Sequence, residues 1–342
     1  MPKPLSAVLV GCGGISDEWL KAIADMDDLD LVGLVDLREE AAAQKAKTFG
    51  LDDALVATDL ADALKQTSPD VVFNCTVPSA HTPVAVAALQ HGCHVLGEKP
   101  MADSMDSARR AIDAAEKAGK VYAVTQNRRY HPQIRRLRRF LETEAIGPIT
   151  TLNSDFFLGA HMGGWWYHTP HVLLLDMAIH TFDAARMITG ADPVSVFCKE
   201  WNPAGSWFDR DASAVAIFEM TGGIVYTYRG SWCSEGLVTS WESEWRVIGA
   251  RGSATWNGKK TIKAQVATDV PGYFATLEDV PIPKADPTDR VGGHAGLIRD
   301  FVDCVREGRT PETVATDNIK SLAMVFAAIE SAETGRTVAV RW

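Results

Sequence analysis

The sequence has no run of roughly 18 consecutive apolar residues, the least that a membrane-spanning helix needs. Its opening, MPKPLSAVLVGCGG, carries one lysine and an apolar stretch that breaks at glycines, so the core and cleavage site of a signal peptide are missing. Membrane insertion and secretion are not expected. There is no CxxC pair either. The six cysteines (Cys12, Cys75, Cys93, Cys198, Cys233, Cys304) are scattered through 342 residues, a length that needs no disulfide staples. Reduced thiols and a cytoplasmic location fit this usage. Positive charge is in deficit, with 34 Lys+Arg against 44 Asp+Glu and a net charge of -10, and nucleic acid is bound by clustered cations. One basic run, Arg128 to Arg139, has Ile134 and Leu137 interleaved at helical spacing, which reads as the solvated face of a helix at a domain junction rather than an RNA patch. Internal repeats and low-complexity linkers are also absent.

What is present is globular: 46% hydrophobic and 23% charged residues, in a chain long enough for two domains. Up to residue 125, short and nearly all-apolar runs (Ala7–Val10, Leu31–Val35, Val71–Cys75, His94–Gly97, Val121–Thr125) alternate with helical patterns (Ser16–Met26, Arg38–Phe49, Thr82–His91, Ser104–Gly119). That alternation predicts a parallel sheet covered on both faces, an α/β Rossmann domain over 1–125. Beyond it the texture changes. A helix to about Thr143, a strand over Ile149–Phe157 and an apolar helix from about His171 to Ile188 precede consecutive strands with short turns between Pro193 and about Val280. Two helices, Gly292–Arg306 and Thr316–Thr334, close the chain. This predicts an α+β domain over 126–342 with a mostly antiparallel sheet.

Gly11-Cys12-Gly13-Gly14-Ile15-Ser16 follows the first strand and opens the first helix, where glycines let a backbone approach a pyrophosphate. Ser16 stands where this fingerprint usually has Gly or Ala. A bare GxG turn is also a common structural turn, but Asp36 ends the second strand about 20 residues on, where an acid accepts from the adenosine ribose hydroxyls. Asp36 favours NAD, and Arg38 two residues later leaves NADP possible. At Glu98-Lys99-Pro100 a strand ends in a charged pair; a surface pair at a turn is the bland alternative, but the carboxyl ends of the strands border the ligand crevice in open α/β sheets. In His171-VLLLD-MAI-His180-TF-Asp183, residues 176, 180 and 183 share one face of a helix that is otherwise apolar almost all round. A polar stripe on a buried helix either satisfies itself or faces a ligand. A helix ion pair is worth only a few tenths of a kcal/mol, too little to account for these groups on a core helix. Residues 160–171, with Trp165, Trp166, Tyr167 and His168, offer flat apolar faces with polar edges suited to sugars, although loop aromatics often only pack. The four histidines from His161 to His180 match no metal-ligand spacing, so no metal is expected.

These motifs together resemble the glucose-fructose oxidoreductase, inositol dehydrogenase and rhizopine-catabolism (Gfo/Idh/MocA) family, nearly end to end: GCGGIS with Asp36, TVPSAHTPVAVAALQHGCHVLGEKP from Thr76, QNRRYHP from Gln126, DMAIHTFD from Asp176, WRVIGARGSATW from Trp245 and GHAGLIRDFVDCVREGRTP from Gly293. The resemblance implies an open C-terminal sheet, homodimers or homotetramers built through it, and a catalytic set carried onto Lys99, Asp176 and His180. It places Gly11, Gly13, Gly14, Ile15, Asp36, Arg38, Thr76, Pro78, His81, Glu98, Lys99 and Asn127 at the cofactor, and Trp165, Trp166, His168, Asp176 and His180 at the substrate. Pro170-His171-Val172 departs from the glycine triplet many relatives carry there. The expected activity is NAD(P)-dependent hydride transfer to or from a sugar, polyol or sugar derivative. His180 takes the hydroxyl proton, Asp176 orients it and Lys99 steadies alkoxide charge. Two alternatives stay open: a glycosidase working by transient oxidation on bound NAD, and a non-catalytic dinucleotide sensor.

Overall fold

The computed structural model describes residues 3–269 and 272–342; Met1 and Pro2, the head of the run read above for a signal peptide, lie outside them. The chain forms two compact units, Met1–Tyr130 with Arg290–Ile319, and His131–Asp289 with Lys320–Trp342.

The first unit runs β1 (Leu5–Val10), α1 (Ser16–Ala24), β2 (Leu29–Val35), α2 (Glu39–Phe49), β3 (Leu55–Ala57), α3 (Leu60–Thr67), β4 (Val71–Asn74), α4 (Pro78–Gln90), β5 (His94–Gly97), α5 (Met105–Ala118) and β6 (Tyr122–Val124). Its strands are parallel, in the order β3-β2-β1-β4-β5-β6. β4 is buried at every position, as a central strand with helices on both faces must be. The order reverses beside β1, and the carboxyl ends of β1, β2 and β4 meet at that switch point.

In the second unit, α6 (Pro132–Glu142) leads to β7 (Ile149–Phe157), a π-helical stretch (Leu173–Ala178), α7 (Ile179–Thr189), β8 (Pro193–Trp201), β9 (Ser213–Met220), β10 (Ile224–Ser231), β11 (Glu244–Gly249), β12 (Gly252–Trp256), β13 (Ile262–Asp269) and β14 (Thr276–Asp279). The chain then returns to the first unit with α8 (His294–Glu307). α9 (Ala315–Thr334) carries it back, and β15 (Val338–Ala339) ends the second sheet. That nine-stranded sheet has the order β14-β13-β12-β11-β7-β10-β9-β8-β15 and is antiparallel except where β7 pairs with β10. Burial alternates along β8, β9 and β10, so one face is core. The other face leaves Val194, Phe197, Ile217, Val225 and Ile248 exposed, with Phe197 directly opposite Ile217.

Where the sequence expects one cut at 125/126, Arg290–Ile319 belongs to the first unit. The reason is packing: α8 places Leu297, Ile298, Phe301 and Val302 in a core with Leu9, Trp19 and Phe73. Arg299 also clamps Asp28 through two bonds of 2.7 and 3.0 Å. The basic run is likewise consumed internally. Arg129 is buried and pairs with Asp317 at 3.0 Å, Arg138 with Glu142 at 2.7 Å and Arg139 with Asp289 at 2.7 Å. Ile134, Leu137, Phe140 and Leu141 form the buried stripe of α6. Among the described residues, no helix is long and apolar enough to cross a membrane.

Candidate active site

In the first unit the glycine turn joins β1 to α1. Gly11 has φ +92°, and a Cβ there would lie 2.6 Å from the backbone of Cys75, so this position needs glycine for both conformation and clearance. Gly13 and Gly14 are exposed, and a Cβ on either meets nothing within 4 Å. Their bare backbone thus fronts open space at the start of a helix, a cradle of the kind a pyrophosphate occupies. Ser16, the atypical fingerprint residue, is fully buried and donates to the Gly13 carbonyl at 2.5 Å, closing the turn. Burial pushes the Cys12 thiol up to about 12, with Asp36 adding to the effect, which leaves that sulfur inert.

Asp36 Oδ2 accepts the Cys12 N–H at 2.8 Å and Oδ1 accepts the Arg38 N–H at 2.9 Å. The carboxylate therefore ties the end of β2 to the glycine turn and has lone pairs left that can accept from a hydroxyl. Arg38 Nε lies 3.9 Å from Oδ1 on a side chain that is 76% exposed. Two residues that the sequence reading missed flank this place. Leu37 after β2 and Val77 before α4 are 93% and 64% exposed, on either side of β1 in the strand order, where apolar surface suits an adenine. Their signal was an apolar residue just past a strand's carboxyl end.

Thr76 donates to Asn74 Oδ1 at 2.6 Å, and Pro78 is the first residue of α4. His81 is buried, with its ring nitrogens 2.6 Å from the Pro100 carbonyl and 2.9 Å from that of Thr76. It ties two loops together. Glu98 is held in a similar way. It is buried, accepts from Trp19 Nε1 at 2.7 Å and from the Lys99 N–H at 3.0 Å, and faces His294 Nε2 at 3.4 Å. Burial alone would raise its pKa; the His294 bond and charge, the Trp19 N–H and Lys99 outweigh that and hold the carboxyl below the usual range. Glu98 thus anchors the main chain of Lys99, which is half-buried just past β5. Asn127 Nδ2 lies 3.4 Å from His294 Nδ1. Trp19 and His294 carried no local signal: each gains its meaning from Glu98, which is 79 residues from Trp19 along the chain.

In the second unit, the segment expected as one α-helix from His171 splits into the π-helical Leu173–Ala178 and α7. Such wide turns are frequent at functional sites. Along it, Asp176 and His180 are half-buried while Leu173, Leu174, Met177, Ala178, Ile179 and Phe182 are buried, so these two polar groups reach the surface of a core helix. Asp183 does not. It is 1% exposed, accepts from Ser321 Oγ at 2.7 Å and faces Arg186 at 3.9 Å, which makes it structural.

Trp166 Nε1 donates to Asp176 Oδ2 at 3.2 Å, and the Trp165 ring stacks on Trp166 at 4.1 Å with 56% of Trp165 exposed. The structure thus brings Trp165, Trp166 and Asp176 together. His168 is turned to Asp209 at 2.5 Å, and His161 stacks on Trp207 at 3.9 Å. Among the described residues no group of three or more His, Cys, Asp or Glu is placed to hold a metal ion.

Two family models match the chain: the oxidoreductase family with an NAD-binding Rossmann fold over residues 5–126, and the GFO/IDH/MocA C-terminal domain over 134–255. The chain belongs to the Gfo/Idh/MocA family. It is an oxidoreductase with an NAD-binding Rossmann domain followed by the family's C-terminal domain. Among its relatives, D-apiose dehydrogenase of Paraburkholderia graminis is 26% identical over 99% of this chain and 90% of its own. D-glucoside 3-dehydrogenase of Escherichia coli is 31% identical over 55% of this chain and 54% of its own. An oxidoreductase from Agrobacterium radiobacter, solved in complex with NAD+, L-tartaric acid and magnesium, superposes with a TM-score of 0.86 at 20% identity, covering 99% of each chain. At that identity the likeness is one of fold.

Proposed function

We propose that this protein is an NAD-dependent dehydrogenase or reductase of a sugar, polyol or sugar derivative, with Lys99, Asp176 and His180 as its catalytic set. The observation that carries the reading is the helix start, where Leu173, Leu174, Met177, Ala178, Ile179 and Phe182 are buried while Asp176 and His180 are only half-buried. When bound, NAD supplies the hydride acceptor at nicotinamide C4, and that chemistry is the cofactor's own. The residues do the rest. His180, an imidazole suited to proton exchange near neutrality, takes the hydroxyl proton. Asp176, held by the Trp166 N–H, orients that exchange. Lys99, on the main chain that Glu98 anchors, stabilises developing alkoxide charge.

Asp36 supports NAD over NADP, since both its oxygens already gather N–H donors around a negative charge that a 2′-phosphate would meet. The sugar-directed relatives support the substrate class, and the Trp165–Trp166 stack suits a ring with an apolar face. The half-exposed apolar residues on the outer face of the nine-stranded sheet support a homodimer or homotetramer through that face. The free, mostly buried cysteines agree with a reducing, cytoplasmic setting.

The test is turnover on a panel of sugars, polyols and glycosides with NAD and NADP. NADH production from a sugar or polyol is expected. Sugar release from a glycoside without net NADH would replace the reading with an oxidative glycosidase, and dinucleotide binding without turnover would replace it with a sensor.

A further inference from the structure

Within the second unit, one titratable cluster stands outside the chemistry above. β8 alternates buried and exposed, with Val196, Cys198 and Glu200 on its inner face. Glu200 occupies a position that this period reserves for an apolar residue. It is 7% exposed, and among the described residues its Oε1 has no hydrogen-bond partner. A carboxylate so placed needs a counter-charge. That counter-charge is His171, whose Nδ1 lies 2.6 Å from Glu200 Oε2.

His171 has its own peculiarity. Its φ is +51°, in the left-handed region that side chains with a Cβ rarely adopt and that persists where surroundings enforce it. Its carbonyl accepts the Leu175 N–H at 3.0 Å, which is the first turn leading into the π-helical stretch with Asp176. The ion pair thus holds in place the residue where the chain turns into the helix of Asp176 and His180.

We propose that His171 is a positioning residue for the hydride-transfer reaction, its charged pair with Glu200 latching the start of the helix that carries Asp176 and His180. This rests on the catalytic reading of those two residues. The groups facing the His171 ring are all acidic: Glu200 from β8, Glu333 from α9 at 3.5 Å from Nε2, and Asp211 from the segment before β9. The Glu200 bond, offset in part by burial, holds the imidazolium pKa above the ordinary histidine value, with Glu333 and Asp211 adding to it. Burial raises the Glu200 pKa, and His171 counters that. The sign follows. The pair is intact while His171 is protonated and is lost as pH rises through its raised pKa, which strands Glu200 as a buried charge. The reaction gains an alkaline limb that belongs to His171.

The test uses the full-length protein with three variants: His171→Gly, which accepts the left-handed backbone freely; His171→Asn, which tolerates it and keeps a polar side chain; and the double variant His171→Gly with Glu200→Gln. Each is read by kcat, KM and kcat against pH, beside its melting temperature. The single variants are expected to lose about 10-fold in kcat at neutral pH, with KM little changed and the alkaline limb gone. The double variant is expected to recover most of that loss, because a neutral amide replaces the stranded carboxylate. Single variants that melt earlier but keep the wild-type kcat and alkaline limb overturn the proposal and leave a purely structural pair. If His171→Gly does not fold, His171→Asn supplies the same comparison. Lys99→Ala and His180→Ala separate the two ideas: if those kill turnover while the His171 variants behave as wild type, the latch alone fails, and if those retain turnover, the catalytic reading itself fails.

Discussion

Replacing Asp36 by asparagine isolates charge from hydrogen bonding at the end of β2. In the native turn Oδ2 accepts the Cys12 N–H at 2.8 Å and Oδ1 the Arg38 N–H at 2.9 Å. Asparagine keeps one oxygen for the buried Cys12 N–H. Alanine keeps none, and an unsatisfied buried donor costs about 1–3 kcal/mol. Asp36→Ala is therefore expected to lose stability as well as selectivity, and Asp36→Asn mainly selectivity. The electrostatic part follows from Coulomb's law. A unit charge on a 2′-phosphate about 4 Å from the carboxylate is repelled by about 4 kcal/mol at an effective dielectric near 20. Salt and the exposed Arg38 guanidinium reduce this to about 2 kcal/mol, or roughly 30-fold in affinity. Charged hydrogen bonds from the free ribose hydroxyls are worth about 1.5–3 kcal/mol to NADH on the other side of the comparison. Together these come to about 3.5–5 kcal/mol, so the NADH-to-NADPH affinity ratio should fall by roughly 400- to 5000-fold in Asp36→Asn. Fluorescence titration of both reduced dinucleotides at two salt concentrations, with a melting curve for each variant, measures every part of this. A wild-type protein that binds NADPH more tightly, or a ratio that Asp36→Asn leaves unmoved, refutes the reasoning.

Lys99→Ala and His180→Ala should each lower kcat by about 100-fold or more with NADH affinity nearly intact; steady-state kinetics and titration check this, and a wild-type kcat removes the residue from the catalytic set. Glu98→Leu should cost about 1–3 kcal/mol by stranding the buried Trp19 N–H, and Glu98→Gln less, because an amide oxygen can still accept it; equal losses in urea unfolding would contradict the anchoring role. His94 accepts the Val121 N–H at 3.0 Å through Nδ1, and burial, with a smaller contribution from Lys120, lowers its pKa from 6.5 to about 4. The unfolded chain takes up this proton before the folded one does, so the stability is complete above the ordinary histidine range and is lost as pH falls from 6.5 towards 4. Discounted for the ring's partial exposure, the loss is about 1–2 kcal/mol. Urea unfolding of His94→Gln should show a shallower fall with acid than wild type, and identical pH slopes would exclude His94 as the cause.

The Rossmann half was legible because its strands are short apolar runs that need no partner to be recognised. Asp36 and the glycine turn sit at the ends of two of them. β3 and α3 escaped the reading: Leu55–Ala57 is three residues long and half-buried throughout, too short to show a period. β14 lies inside the strand-rich run but could not be picked out within it for a related reason, since it is exposed at every position and a strand with no buried face leaves no alternation. The placement of Arg290–Ile319 was invisible locally. Nothing in the α8 sequence says that Leu297 and Phe301 pack with Trp19 and Phe73 rather than with the helices nearer in the chain.

Roles at the site were harder to read than positions, and the carboxylates on buried elements explain why. Sequence pattern marks Asp176 and Asp183 alike, as acids on an apolar helix, marks Glu98 as half of a charged pair and does not single out Glu200, yet each must either meet partners or face a ligand. Partners arrive from far along the chain: Ser321 for Asp183, Trp19 and His294 for Glu98, His171 for Glu200. Once these are in place, Asp183 and Glu98 are enclosed and engaged, and their work is to hold other groups still. Asp176 differs in being half-buried, with an indole N–H among its partners, an exposure that suits the proposed role in proton exchange. What separates Asp176 from the enclosed acids is therefore the combination of exposure and partner set, both of which are long-range properties. A three- or four-residue periodicity brings Asp176, His180 and Asp183 onto one stripe, but only the fold divides that stripe between the surface and the core.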